Sequence, residues 1–293
     1  MSKPKRSRRA ILAAIFDTHA GHKLGLCNPN TVLFEEDPES RELIPWHPAM
    51  TPSMTFNWKA FEEDRQAVMK LAGDDDIFLV HCGDMTHGNG FLRELISTRQ
   101  SDQFKIAAAN LRPWLQLPNL KKAVFVKGTG VHEFGEGSAA QTVADLLADE
   151  KKPIDVPYHA EAFLDGVKCD LAHHGPPPGV RYWLKGNLLR LYTQSNMDDC
   201  LVEGEAPPDL LLRGHYHTLV TEIVTRRARG KEWQTWAAVG PSYCMIDDYA
   251  RRVSKSPAKI TIGMLAYEIV DGAILRKHEF VRTLDFRTKV VLR

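Results

Sequence analysis

No stretch of this 293-residue chain approaches the roughly 18 consecutive apolar residues of a membrane-spanning helix, which argues against a bilayer protein. No internal repeat or low-complexity tract is present, so the sequence gives no sign of a repeat architecture. The five cysteines are odd in number and irregularly spaced from Cys27 to Cys244. That excludes a disulfide framework and points to reduced thiols in a cytoplasmic setting. A net charge of +1 gives no global pull towards nucleic acid. With 43% hydrophobic residues and no clean linker, residues 10–293 are expected to form one domain behind a basic, disordered tail of residues 1–9.

What the chain does contain is a set of short apolar runs, each ending at a polar group able to hold a metal. Residues 10–16 run into Asp17-Thr18-His19, and residues 77–80 lead to Gly83-Asp84. Residues 123–126 precede Gly128-Thr129-Gly130-Val131-His132-Glu133, and residues 210–212 precede Arg213-Gly214-His215-Tyr216-His217. Between the last two lies Cys169-Asp-Leu-Ala-His173-His174-Gly175. Short apolar runs bounded by Gly, Asp or Asn read as buried strands, and sites in such sheets gather at strand ends. In extended chain, residues i and i+2 point the same way, so Asp17 with His19, and His215 with His217, are each expected to grip one ion. The pattern reads as a binuclear metal centre.

The order Asp-x-His, Gly-Asp, a Gly-containing turn ending in His, a strand-end His and Gly-His-x-His resembles the calcineurin-like metallophosphoesterases over about residues 10–220. The detail His19-Ala20-Gly21-His22, then Gly25-Leu26, is similar to the phage- and prophage-encoded members. The resemblance implies an α/β fold of two facing mixed sheets flanked by helices, a four-layer sandwich. It also implies that Asp17, His19 and His217 hold one metal, that Asp84 bridges, and that His215 with His173 or His174 holds the second. In that family the ligand ends its strand and is followed two places later by Gly or Pro, which favours His173, and side-chain alternation would then send His174 the other way unless the strand has already turned. The family's third motif has Asn before its His, whereas here Asn is missing and two residues are added. Thr129 offers a hydroxyl in its place, so weaker binding is expected at the second position. His132 would serve the leaving group, with Glu133 orienting it.

A nitrogen-rich ligand set disfavours calcium and magnesium, and the absence of cysteine from the motifs argues against a structural zinc cage. Two divalent ions, manganese first and iron or zinc next, are the expected cofactors. The expected reaction is hydrolysis of a phosphomonoester or phosphodiester by metal-activated water. The alternatives are a DNA nuclease with the same core, supported by the basic tail and Arg226-Arg227-Ala-Arg229, and a non-catalytic metal-binding or assembly factor. Sequence leaves the oligomeric state open.

The remaining chain reads as helices at residues 61–71, 91–117 (interrupted near Pro113), 139–150 and 180–200. Strands are expected at residues 219–224, 233–239, 260–270 and 273–281. Residues 21–57 are long, Pro-dotted and without period, hence a loop over the site. Around it, His22, His47, Trp46, Trp58 and His87 are candidates for the rim, as are Tyr243 and Asp247-Asp248. His81 reads as a core histidine.

Overall fold

The computed structural model describes residues 8–134, 138–179, 182–246 and 259–287. The basic segment 1–7 and Asp247-Asp248 lie outside the described residues. In chain order the strands are β1 (Arg9–Ile15), β2 (Leu33–Glu36), β3 (Leu43–Trp46), β4 (Asp76–Cys82), β5 (Leu120–Val126), β6 (Ile154–Asp155) and β7 (His159–Leu164). They continue with β8 (Val167–Ala172), β9 (Leu210–Arg213), β10 (Val220–Ala228), β11 (Lys231–Val239), β12 (Lys259–Val270) and β13 (Ala273–Asp285). The helices are α1 (Pro52–Ala72), α2 (Gln100–Leu115), α3 (Ser138–Leu146) and α4 (Asn187–Glu203).

Six strands form one mixed sheet in the order β13-β12-β1-β4-β5-β6, and five form a second in the order β10-β11-β9-β8-β7. β1, β4, β5 and β6 run parallel, as do β8, β9 and β11, while β7, β10, β12 and β13 pair antiparallel. The layering follows from period-2 alternation along β1. Ile11, Ala13 and Ile15 face a core shared with α1, α2 and α3. Ala10, Leu12, Ala14 and Phe16 face a second core against Val167, Cys169, Leu171, Leu210 and Leu212 of the other sheet. On that sheet's far side, Leu189 of α4 packs on Leu211, Ala237 and Val239. The fold is therefore α/β, two facing mixed sheets between helices, and strands buried on both faces explain the near-continuous apolar runs.

Three expected boundaries move for physical reasons. α1 begins at Pro52, because Thr51 Oγ1 accepts the Met54 amide at 3.2 Å and proline suits the first turn. Helix α2 passes through Pro113 and is not interrupted. The carbonyl of Ala109, four residues earlier, has no proline N–H to accept and instead receives Asn28 Nδ2 at 3.1 Å. Residues 21–57 are not all loop, since β2 and β3 pair as a two-stranded ribbon and α1 starts within them. No helix among the described residues is long and apolar enough to cross a membrane, and all five cysteines are unpaired.

Candidate metal centre

The loops leaving the C-terminal ends of β1, β4, β5, β8 and β9 meet at one edge of the inter-sheet core, where α/β sheets place their ligand sites. The β1 and β4 loops are laced together by Asp17 N to Gly83 O (3.3 Å) and His19 N to Asp84 O (3.0 Å). Thr18 Oγ1 donates to Met85 O at 3.1 Å and stands 3.0 Å from His81 Nε2. His81 is thus a buried brace for the ligand loop, as the sequence suggested. Glycine is required where these loops cross: a Cβ on Gly83 would strike the His173 ring, and one on Gly128 would strike Asp84.

All of the motif histidines and aspartates converge. Ligand atoms of Asp17, His19 and His217 lie within 4.8 Å of one another, as do those of His173, His174 and His215, and those of Asp17, Asp84 and His173. Asp84 therefore stands next to both the first and second groups. The spacing-based expectation that His215 and His217 grip the same ion needs correction. His215 joins His173 and His174, whereas His217 joins Asp17 and His19. The reason is local: both histidines have positive φ, 77° and 50°, so the segment is not extended and alternation does not apply.

That conformation recurs through the site. Asp17, His19 and Asp84 also have positive φ, 46°, 43° and 48°. Left-handed backbone at a non-glycine residue is strained and persists where the surroundings impose it, most often at functional sites. Here the surroundings are visible. The Asp17 carboxylate accepts the His215 amide at 3.0 and 3.1 Å, and Asp84 Oδ1 accepts the Thr129 amide at 2.6 Å.

The donor set fits divalent cations. His173 Nδ1 donates to the Cys82 carbonyl at 2.8 Å, which turns Nε2 towards Asp84 Oδ2 at 2.9 Å, where it holds a proton that a bound cation would displace. His19 Nε2 and His217 Nε2 oppose each other at 3.2 Å, with Asp17 Oδ1 3.6 Å from the latter. Lone pairs aimed at one another repel unless a proton or a cation lies between them. The electrostatics agree: burial alone would raise the Asp84 pKa, but His173, His132 and His19 hold it well below the usual carboxylate range. Burial works against a charged His173, yet Asp84 and Asp17 lift it to about 9. Burial, with His132 beside it, keeps His19 neutral, the form that ligates a metal.

His132 Nδ1 contacts the His87 carbonyl, so Nε2 is the nitrogen left to face the centre, 3.8 Å from Asp84 Oδ2. Glu133 Oε1 accepts the Gly128 amide at 2.6 Å and Oε2 the Ala140 amide at 3.3 Å, bracing the loop against the start of α3. His87, a candidate for the rim from its place after Asp84, is buried, with Nδ1 3.4 Å from His19 Nδ1. It is the outer partner that fixes the orientation of His19 as well as that of His132. Its position three places after Asp84 was the only signal for this.

His22, Glu94 and His87 form a further cluster. There the Leu24 amide donates into His22 Nδ1 at 3.0 Å, placing the His22 proton on Nε2, 3.2 Å from Glu94. A hydrogen-bonded pair, not a cation site, follows. His47 is tied to the Thr31 carbonyl at 2.9 Å, and Trp46 and Trp58 pack on the helical core. Tyr243 is no wall of the site; its ring is buried and its hydroxyl donates to Asp64 at 2.7 Å.

No family model matches the chain, and no curated protein matches it. Among solved structures, a novel archaeal phosphodiesterase aligns over 89% of this chain and 99% of its own at 12% identity, with a TM-score of 0.38. A conserved Streptococcus pneumoniae TIGR4 protein described as a predicted phosphoesterase aligns over 94% and 98% at 12% identity, with a TM-score of 0.34. At this level of similarity neither likeness says anything of this chain's activity.

Proposed function

We propose that the chain is a metal-dependent phosphoester hydrolase, acting on a phosphomonoester or phosphodiester at a binuclear centre. The observation that carries this is the convergence of Asp17, Asp84, His19, His173, His215 and His217 in overlapping groups whose ligand atoms lie within 4.8 Å of one another, with His19 Nε2 and His217 Nε2 opposed at 3.2 Å. Asp17, His19, His217 and Asp84 would hold one ion, and Asp84, His173 and His215 the other. Two divalent ions so held, manganese, iron or zinc, supply Lewis acidity to phosphoryl oxygens and bring the ionisation of water towards neutral pH. The chain's own part is positioning. The amides of Thr129 and His215 orient the two carboxylates, and the Cys82 carbonyl orients His173. His132, whose Nδ1 donates to the His87 carbonyl, would as the imidazolium give its Nε2 proton to the departing oxygen.

The basic segment offered as support for a nuclease does not face the centre. Arg226 pairs with Asp198 at 2.7 Å, Arg227 with Glu232 at 2.8 Å, and Arg229 donates to the Leu201 carbonyl. It lies at the far end of β10, whose nine residues span roughly 27 Å from the edge near His217. The test is manganese-loaded protein assayed on a chromogenic monoester, a chromogenic diester and DNA. Hydrolysis of an ester is expected, and it should be lost in Asp84→Asn. Cleavage of DNA alone would redirect the reading to a nuclease; silence on all three with metal bound would leave a non-catalytic metal protein.

A further inference from the structure

The missing asparagine of the third motif leaves the second position one ligand short, and the structure places a residue of different chemistry there. β8 ends at Ala172 and the chain bends at His173, so strand alternation no longer separates His173 from His174. The two rings lie 4.9 Å apart, and His174 lies 4.8 Å from His215, His173 5.3 Å from His215. All three converge on the Thr129 hydroxyl, with His173 Nε2 at 3.2 Å, His174 Nε2 at 3.4 Å and His215 Nδ1 at 3.4 Å. Asp84 Oδ2 stands 3.2 Å from the same oxygen. A hydroxyl can give one hydrogen bond and accept two, so four converging polar atoms are one more than hydrogen bonding to Thr129 can use.

Their mutual spacing suits an ion. Zinc–imidazole bonds of about 2.0–2.1 Å set neighbouring nitrogens of a tetrahedral site roughly 3.4 Å apart. The three nitrogens here lie within 4.8 Å of one another, and His174, being exposed, is free to close the difference by rotation about its side-chain bonds. Three imidazoles and one shared carboxylate make this position richer in nitrogen than the first, which has two imidazoles and two carboxylates. Imidazole-rich sets suit zinc, and carboxylate-rich ones suit manganese.

We propose that His174 is the ligand that replaces the family's asparagine, completing a three-histidine second position of zinc-binding character. This rests on the binuclear reading above, and it answers the weakness expected if Thr129 alone filled the place. The test uses the full chain stripped of metal, dialysed against buffered free zinc, with bound zinc counted by mass spectrometry. Wild type is expected to bind two zinc ions. His174→Ala should bind the first unchanged and the second at least about tenfold more weakly, and Thr129→Val should alter the second much less. Because the His174 side chain is exposed, its removal leaves the fold intact, checked by the melting of the metal-free protein. A second zinc held equally by wild type and His174→Ala, or lost only in Thr129→Val, would overturn the proposal and leave the binuclear reading standing. A wild type that binds one zinc or none would overturn both.

Discussion

Two buried polar clusters sit some way apart in this molecule, and they solve opposite problems. Between α1 and β13, Asp64 is 3% exposed, accepts Tyr243 Oη at 2.7 Å and receives Arg282 Nη1 at 2.9 Å from each oxygen. Arg282 turns its other nitrogen to Glu63 at 2.8 Å. Both carboxylate oxygens meet a donor, and the cation is supplied by the chain. At the sheet edge, by contrast, Asp17, Asp84 and six imidazoles meet with no lysine or arginine among their described partners. A structural cluster balances its own charge, whereas this one is short of positive charge. The two are joined by one backbone contact, Tyr243 N to Asp17 O at 3.2 Å.

The contrast is broken most severely by withholding metal. Binding to the folded chain alone stabilises it by about 2.7 kcal/mol per site at a free ion concentration 100-fold above Kd, or about 5 kcal/mol for two. Chelation is therefore expected to lower the melting temperature of wild type by many degrees and that of Asp84→Asn hardly at all, measured by calorimetry with and without chelator. Equal melting with and without metal in wild type would mean that the sheet-edge cluster is as self-sufficient as the Asp64 cluster.

What was legible in the sequence follows the same division. The proposed ligands announce themselves because buried parallel strands must be apolar throughout, so Asp17, Asp84 and His215 stand out where the runs stop. The core strands follow from those runs, whereas the four-layer plan came from the family resemblance. The Asp64 cluster was invisible, since Tyr243 and Arg282 lie 179 and 218 residues from Asp64 and no local period relates them. The pairing of His217 with Asp17, and of His215 with His173, which the resemblance implied, escaped the spacing argument because left-handed φ values replace strand alternation just where the proposed ligands sit. The burial of His87 was hidden likewise, its partners being His19 and His132 across loops.

A smaller perturbation separates holding metal from using it. His132→Ala leaves every proposed metal ligand in place and removes only the Nε2 proton donor. Turnover on an ester with a poor leaving group should fall by about 10²–10⁴-fold, the usual worth of a positioned acid, with metal content unchanged. On an activated nitrophenyl ester the loss should be much less, because that oxygen departs without a proton. An equal loss on both substrates would place His132 among the metal-holding groups.

The gentlest test titrates the self-balanced cluster. Burial pushes the Asp64 carboxyl up to about 6, against the pull of Tyr243 and Arg282, while the unfolded value is about 3.9. Between those values the folded chain holds a proton that the unfolded chain has lost. The stabilisation this gives is fully present below pH about 4 and disappears as pH rises through about 6, a full difference of about 3 kcal/mol, of which about 2 kcal/mol lies between pH 4.5 and 7.5. Asp84 runs the other way, its depressed pKa giving stability that is lost on acidification. Asp64→Asn isolates the first effect, since the amide keeps the shape and never ionises. Urea unfolding of the metal-free proteins should show wild type gaining on Asp64→Asn by about 2 kcal/mol at pH 4.5 relative to pH 7.5. A difference that stays constant between the two would mean that Arg282 and Tyr243 outweigh burial and that the carboxylate is charged throughout, making the cluster a true internal ion pair.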